Sequence, residues 1–207
     1  MKVFKLKPLS ICDTNSYIVM SEKGNAVLID APADAGYIMS QLDFYGAKLK
    51  KIFLTHGHFD HIGAVADLVK KTKCEVYISI FDKSKLNDDV GSVANLFMVR
   101  GNKKYDGDVT LFDDGDILDL DELEFRVIAT PGHTSGSVCF LCGDSLFTGD
   151  TLFSKSCGRT DMPDGDSMAM KKSMVKIASL SGDYKVYPGH MNTSTLDFEK
   201  KYNPYLK

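Results

Sequence analysis

The chain has 207 residues, 43% of them hydrophobic and 26% charged, with a formal net charge of −3. That composition is globular, can bury a sizeable core without staples, and has no basic excess for nucleic acid or an anionic membrane. Five scattered cysteines, Cys12, Cys74, Cys139, Cys142 and Cys157, exclude a disulfide framework. Lys2, Lys5 and Lys7 interrupt the opening stretch where a signal peptide needs apolar residues. No apolar run reaches the roughly 18 residues of a membrane span. The expectation is one domain over residues 1–207, cytoplasmic, with no nucleic-acid or membrane partner and an open oligomeric state.

"SYIVM" (16–20) and "AVLID" (26–30) read as a hairpin across the turn residues "EKGN". "ADAGYIMSQLDFYGA" (33–47) has apolar residues near helical spacing and Gly46 near its end. "KLKK" (48–51) reads as a solvated loop and "KIFL" (51–54) as a buried strand. "IGAVADLVKK" (62–71) is a helix with lysines in its last turn, and "EVYISI" (75–80) is a strand. Residues 81–107 read as a long excursion, partly helical, of the kind that covers an active site. Then come short strands split by Asp and Gly turns: "VTLF", "ILDL", "LEFRVIAT", "SVCFLC" and "SLFTG". A helix is expected over 167–180, a strand at "YKVYPG" (184–189), and a closing helix over 194–206 ended by Pro204. The cysteines of "CFLC" lie three apart in a strand, so they point to opposite faces and belong to packing rather than redox work. Phe44, Tyr45, Phe81 and Phe97 are expected in the core or lining a pocket. Two mixed sheets face to face with helices outside would accommodate this order.

"LTHGHFDHIGA" (54–64) holds three of the five histidines, with Asp60 among them, on a strand-to-helix loop. In extended chain, residues two apart share a direction, so His56, His58 and Asp60 can converge while His61 enters the helix. The other two histidines also follow strands, His133 in "ATPGHTSGS" and His190 in "YPGH", and Asp150 closes "FTGD". Strand ends on one edge of a packed sheet are where ligands are held. His56, His58, Asp60, His61, His133, Asp150 and His190 make seven donors. A catalytic zinc takes three protein ligands and keeps a position open for water. Two such sites need six donors, and a bridging carboxylate is the natural seventh. Imidazole and carboxylate suit zinc, with iron or manganese as alternatives.

"THGHFDH", "TPGHTSGS", "TGD" and "PGH", in that order and spacing, resemble the metallo-β-lactamase superfamily from about Asn15 to Pro204. The resemblance implies an α/β (α+β) fold, a four-layer αββα sandwich with two divalent metal ions at one edge. It also implies His56, His58 and His133 on one ion, Asp60, His61 and His190 on the other, and Asp150 bridging. Asp60 is the group then expected to orient the attacking water or take its proton. "LFSKSCGRTDMPDGD" (152–166), "STLDFEKKYNP" (194–204) and "CDTNSYIV" (12–19) look like the glyoxalase II group, the hydroxyacylglutathione hydrolases, in its compact bacterial form. That implies cleavage of S-lactoylglutathione or a related 2-hydroxyacyl thioester, with Arg159 on the glutathione moiety. The alternative role for Arg159 is a surface pair with Asp161 or Asp164. Three departures bear on glutathione. A chain ending at Lys207 is expected to lack the helical extension of long forms. Asp161 and Asn192 stand where those forms have tyrosines, and Met191 follows His190 where Gly or Glu is common. The GRTD stretch is shared with persulfide dioxygenases, which use one iron, and this is the alternative function.

Overall fold

The computed structural model describes residues 1–101 and 103–206. The first sheet holds β1 (Lys2–Lys5), β2 (Tyr17–Met20), β3 (Asn25–Ile29), β4 (Lys48–Phe53), β5 (Glu75–Ser79) and β6 (Thr110–Phe112), side by side in that order. The first three pair antiparallel and the last four parallel. Helices make two of the parallel crossovers: α1 (Ala35–Tyr45) between β3 and β4, then α2 (Phe59–Ile62) and α3 (Val65–Thr72) between β4 and β5. Asp34 caps α1 by accepting from the Tyr37 amide at 2.9 Å, and Gly46 ends it at φ 66°.

The second sheet is ordered β14 (Ser194–Thr195), β13 (Lys185–Pro188), β10 (Ser145–Gly149), β9 (Val138–Cys142), β8 (Leu123–Ala129) and β7 (Ile117–Leu120). A ribbon of β11 (Leu152–Phe153) and β12 (Ser156–Cys157), helix α4 (Ser167–Ala178) and helix α5 (Leu196–Tyr202) complete it. The chain passes from one sheet to the other at residues 113–116 and never returns to the first.

Side-chain alternation makes the layers. In β3, Ala26 and Leu28 face Ile38, Leu42, Val65 and Leu68 of the helices. Val27 and Ile29 face the other way, into an inter-sheet core with Tyr17, Phe53, Phe125, Phe140 and Phe147. In β9, Phe140 and Cys142 enter that core, while Cys139 joins Met170, Met174, Ile177 and Leu196 on the outer face. The result is the expected αββα sandwich, and the "CFLC" cysteines do point to opposite faces.

Several local expectations are corrected. "KLKK" is the first part of β4, because Leu49 is buried between exposed Lys48 and Lys50 in a strand alternation. The helix expected over 62–71 is broken at Gly63 and Ala64 into α2 and α3. Segment 81–107 contains no α-helix among its described residues: one 3₁₀ turn, Lys83–Asn87, is followed by successive tight turns. The closing helix stops at Tyr202, where the Asn203 side chain accepts from the Tyr205 amide. Phe44 and Phe81 are exposed, at 77% and 62%, while Tyr45 stacks on Phe4 at 3.9 Å and Phe97 packs against Phe59. Strand β1, β11 and β12 were not anticipated; each is four residues or shorter.

Candidate metal centre

β10 runs parallel to β13, and β8 is antiparallel to β9, which is antiparallel to β10. So β8, β10 and β13 end on one edge, and His133, Asp150 and His190 follow those ends. β4 of the first sheet delivers Thr55 and His56 to the same edge, where the Thr55 carbonyl accepts from the Val138 amide at 2.9 Å. Backbone approach there is tight: a Cβ on Gly149 would lie 2.5 Å from that of Thr55, and one on Gly158 would lie 1.8 Å from the Asp150 carbonyl oxygen.

The seven residues named from sequence come together. Donor atoms of His56, His58 and His133 lie within 4.8 Å of one another, as do those of Asp60, His61 and His190, and those of His56, His61 and Asp150. Asp150 touches both sides: Oδ2 is 3.4 Å from His133 Nε2 and 3.3 Å from His190 Nε2, and Oδ1 is 3.4 Å from His61 Nε2. Asp60 Oδ2 is 3.4 Å from His190 Nε2 and 3.6 Å from His61 Nε2. Except for His190, these side chains are all but inaccessible to solvent.

Three of the imidazoles have an orienting partner at Nδ1. His61 Nδ1 is 2.8 Å from Asp30 Oδ2, and His133 Nδ1 is 2.7 Å from the Arg159 carbonyl. His56 Nδ1 is 3.1 Å from Thr55 Oγ1, which donates to Asp30 Oδ2 at 2.8 Å. Such contacts orient the rings of His56 and His61 and leave their Nε2 atoms without a partner, while His133 Nε2 lies 2.9 Å from His58 Nδ1. His56 Nε2, His61 Nε2 and Asp150 Oδ1 are buried with no hydrogen-bond partner. Orphaned buried polar atoms are rare, and three converging on one point fit a cation held between them.

Electrostatics divides the site. Burial, and then His61, holds His56 well below the ordinary imidazole value, and burial with His133 brings His58 to about 3. Burial works against charge on His61 and His190 too, but carboxylates override it: Asp60 and Asp30 raise His61, and Asp150 takes His190 to about 10. Burial likewise opposes charge on Asp60, and His61 overrides it, bringing the carboxyl to about 2. A cation bound at His61 and His190 would compete with protons for the same ring nitrogens.

Asp30, Thr14 and Asn15 were not anticipated. Thr14 Oγ1 donates to Asp60 Oδ2 at 2.7 Å, and Asn15 Nδ2 donates to the Pro188 and Met191 carbonyls that bracket His190, both at 2.9 Å. Met191, the unusual residue after His190, sits at φ 68°. One signal for Asp30 was present: a carboxylate ending a strand, as at Asp150. Arg159 has two readings from sequence, a contact to the glutathione moiety or a surface pair with Asp161 or Asp164; its exposed side chain forks onto Asp161, Nε to Oδ1 at 2.7 Å and Nη2 to Oδ2 at 2.8 Å.

Residues 9–190 match the model of the Metallo-beta-lactamase superfamily. The chain belongs to that superfamily. It is 31% identical to the hydroxyacylglutathione hydrolase GloC of Haemophilus influenzae, over 96% of this chain and 95% of that one. The crystal structure of BLEG-1 B3 metallo-beta-lactamase superposes with a TM-score of 0.94 at 31% identity, over 100% of both chains. That of TTHA1623 in a di-iron-bound form gives 0.87 at 33% identity, over 98% of this chain and 100% of that one. This superfamily member is thus built as a metal-binding enzyme, with His and Asp groups for a two-metal site. Among its described residues, no helix is long and apolar enough to cross a membrane.

Proposed function

We propose that this protein is a two-metal hydrolase cleaving 2-hydroxyacyl thioesters of the S-lactoylglutathione type. The observation that carries the reading is Asp150, whose two oxygens reach imidazoles of both donor sets. Near-full-length likeness to a hydroxyacylglutathione hydrolase supports the substrate class. His56, His58 and His133 would hold one divalent ion, Asp60, His61 and His190 the other, with Asp150 shared. Zinc is the proposed metal, with iron or manganese as alternatives; the di-iron form of TTHA1623 supports iron. Bound there, such a pair supplies a water of lowered pKa and an electrophile for the carbonyl oxygen.

The chain's own residues do the rest. Asp60, kept ionised by His61 against burial, can orient the attacking water or take up its proton. Asp30 keeps the ring of His61 aimed into the site. Arg159 is proposed to hold the distal carboxylate of the thiol, leaving Asp161 to do so. Its removal should raise KM for a glutathione thioester roughly three- to tenfold, a loss limited by the group's exposure, with kcat little changed. A short neutral thioester should not respond.

The likeness to a B3 metallo-beta-lactamase favours a second reading, β-lactam hydrolysis. One panel separates the readings: S-lactoylglutathione, a neutral 2-hydroxyacyl thioester, a chromogenic cephalosporin, and glutathione persulfide in an oxygen electrode. Release of free thiol without oxygen uptake is expected. Turnover of the cephalosporin alone would transfer the assignment to β-lactams, and oxygen uptake with persulfide alone would transfer it to the dioxygenases.

A further inference from the structure

Asp82, the second residue of the long excursion, is completely buried, yet it is no part of the seven-donor set. Its carboxylate is saturated with donors from two separate loops. Oδ2 accepts from the Gly57 amide at 2.7 Å and from Thr134 Oγ1 at 2.8 Å. Oδ1 accepts from the Gly136 amide at 3.0 Å and from Lys85 Nζ. Gly57 lies between His56 and His58, and Thr134 follows His133. One carboxylate therefore ties together the two chain segments that carry the first donor triad. The fit is close: a Cβ on Gly136 would lie 2.5 Å from Asp82 Oδ1, and one on Gly57 would lie 2.7 Å from Lys85 Cβ. Lys85, also buried, continues the link to Asp164 Oδ2 at 2.6 Å, and that oxygen accepts from Ser135 N and Oγ, both at 2.9 Å.

The other triad is held by different residues. Thr14 donates to Asp60, Asn15 to the carbonyls on either side of His190, and Ser16 Oγ to the carbonyl of Asp30 at 2.7 Å. Three consecutive residues of one strand entry thus support Asp60, His190 and, through Asp30, His61. Among the described residues, no hydrogen bond or ion pair joins Asp82 to that stretch. Asp30 serves both triads, directly at His61 and through Thr55 at His56, whereas of the donor-bearing segments Asp82 bonds only to those around His58 and His133.

We propose that Asp82 is the positioning residue of the His56, His58 and His133 triad, setting the separation of its two loops without touching the other triad. The proposal rests on the two-metal reading of the site. Its logic is geometric: a buried carboxylate accepting four hydrogen bonds leaves little play between the loops, and neutralising it leaves donors facing a weaker acceptor or an amide N–H. Outer partners of this kind are worth 10- to 100-fold in metal affinity by general experience, roughly the loss expected here.

The test is a cobalt(II) titration of the full chain, competed with a chelator and followed by visible absorbance, which yields two dissociation constants if two ions bind. Asp82→Asn should weaken one constant about 10- to 100-fold and leave the other within about twofold. Thr14→Val should weaken the opposite constant. Far-ultraviolet dichroism and the melting temperature of the metal-free forms report whether each variant folds. If Asp82→Asn fails to fold, Thr134→Val takes its place; it keeps shape and removes one of the four hydrogen bonds. It should weaken the same constant, several-fold. Equal loss of both constants, no loss in a folded variant, or loss of the constant that Thr14→Val affects would each overturn the proposal. Wild-type protein binding one equivalent would instead overturn the two-metal reading. A fall in that single constant in Asp82→Asn would still sustain the positioning role.

Discussion

Asp150 is fixed between three imidazoles and has no alternative partner on Oδ1, so an amide cannot replace it. Asp150→Asn should lose both metals and turnover together, read by elemental analysis beside a thioester assay. Cys139→Ser and Cys142→Ser should keep metal and activity, at a stability cost of about 1 kcal/mol for Cys142, whose side chain lies in the apolar inter-sheet core, and less for Cys139, whose Sγ already has Thr130 Oγ1 at 3.6 Å and the Thr148 carbonyl at 3.7 Å. Loss of turnover with metal retained would give the cysteines a chemical role. His190 makes a pH prediction for the chelated protein. Asp150 overcomes burial and raises its pKa from 6.5 to about 10. A raised folded-state value gives stability that is complete below the unfolded value and is lost as pH rises through the folded one. The melting temperature of the metal-free protein should therefore fall between neutral pH and pH 10. The metal-loaded protein, where the ring would be a ligand and not a proton carrier, should not follow. A flat metal-free profile would mean that the His190 proton is not held by Asp150.

Helix α4 is coupled to the metal edge through its cap. Asp166 Oδ1 accepts from the Met168 and Ala169 amides at 2.7 and 3.0 Å, and its own amide donates to the Gly132 carbonyl beside His133 at 2.8 Å. Asp166→Ala should cost about 1 kcal/mol and lower the melting temperature by roughly 2–4 °C. An unchanged melting curve would remove the cap from the account. Elements with a long enough apolar pattern were legible in the sequence: the β2–β3 hairpin, α1, α4 and the short strands of the second half. "KLKK" was misread because one buried leucine among three lysines is too short a period-two signal. Segment 81–107 stayed opaque because its conformation depends on distant partners. Asp82 and Lys85 are ordered by loops 57 and 134–136 and by Asp164, and Val93 is held at φ 58°, which no local preference would select. The donors were visible because five histidines all follow strands, whereas Asp30 and Asp82 look like ordinary aspartates until the loops are folded around them.

At the scale of the molecule, the chain completes one sheet before it begins the other, and the change falls at the turn of residues 113–116. The amino-terminal half supplies His56, His58, Asp60 and His61; the carboxyl-terminal half supplies His133, Asp150 and His190. Each close donor triad that the fold assembles draws on both halves. That order lends itself to fragment complementation. Two polypeptides cut within Asp113–Asp116 would each keep a whole sheet with its covering helices, and each would expose the aromatic face normally shared, with Phe53 on one side and Phe125, Phe140 and Phe147 on the other. Mixed together, they should reassociate through that face, and cobalt coloration should develop only in the mixture. Metal added to the pair should tighten the heterodimer, because ligands on opposite fragments close on the same ions. Color in either fragment alone would mean that half the chain can assemble a site by itself, and the ions would no longer serve as the clasp between two separately wound pieces.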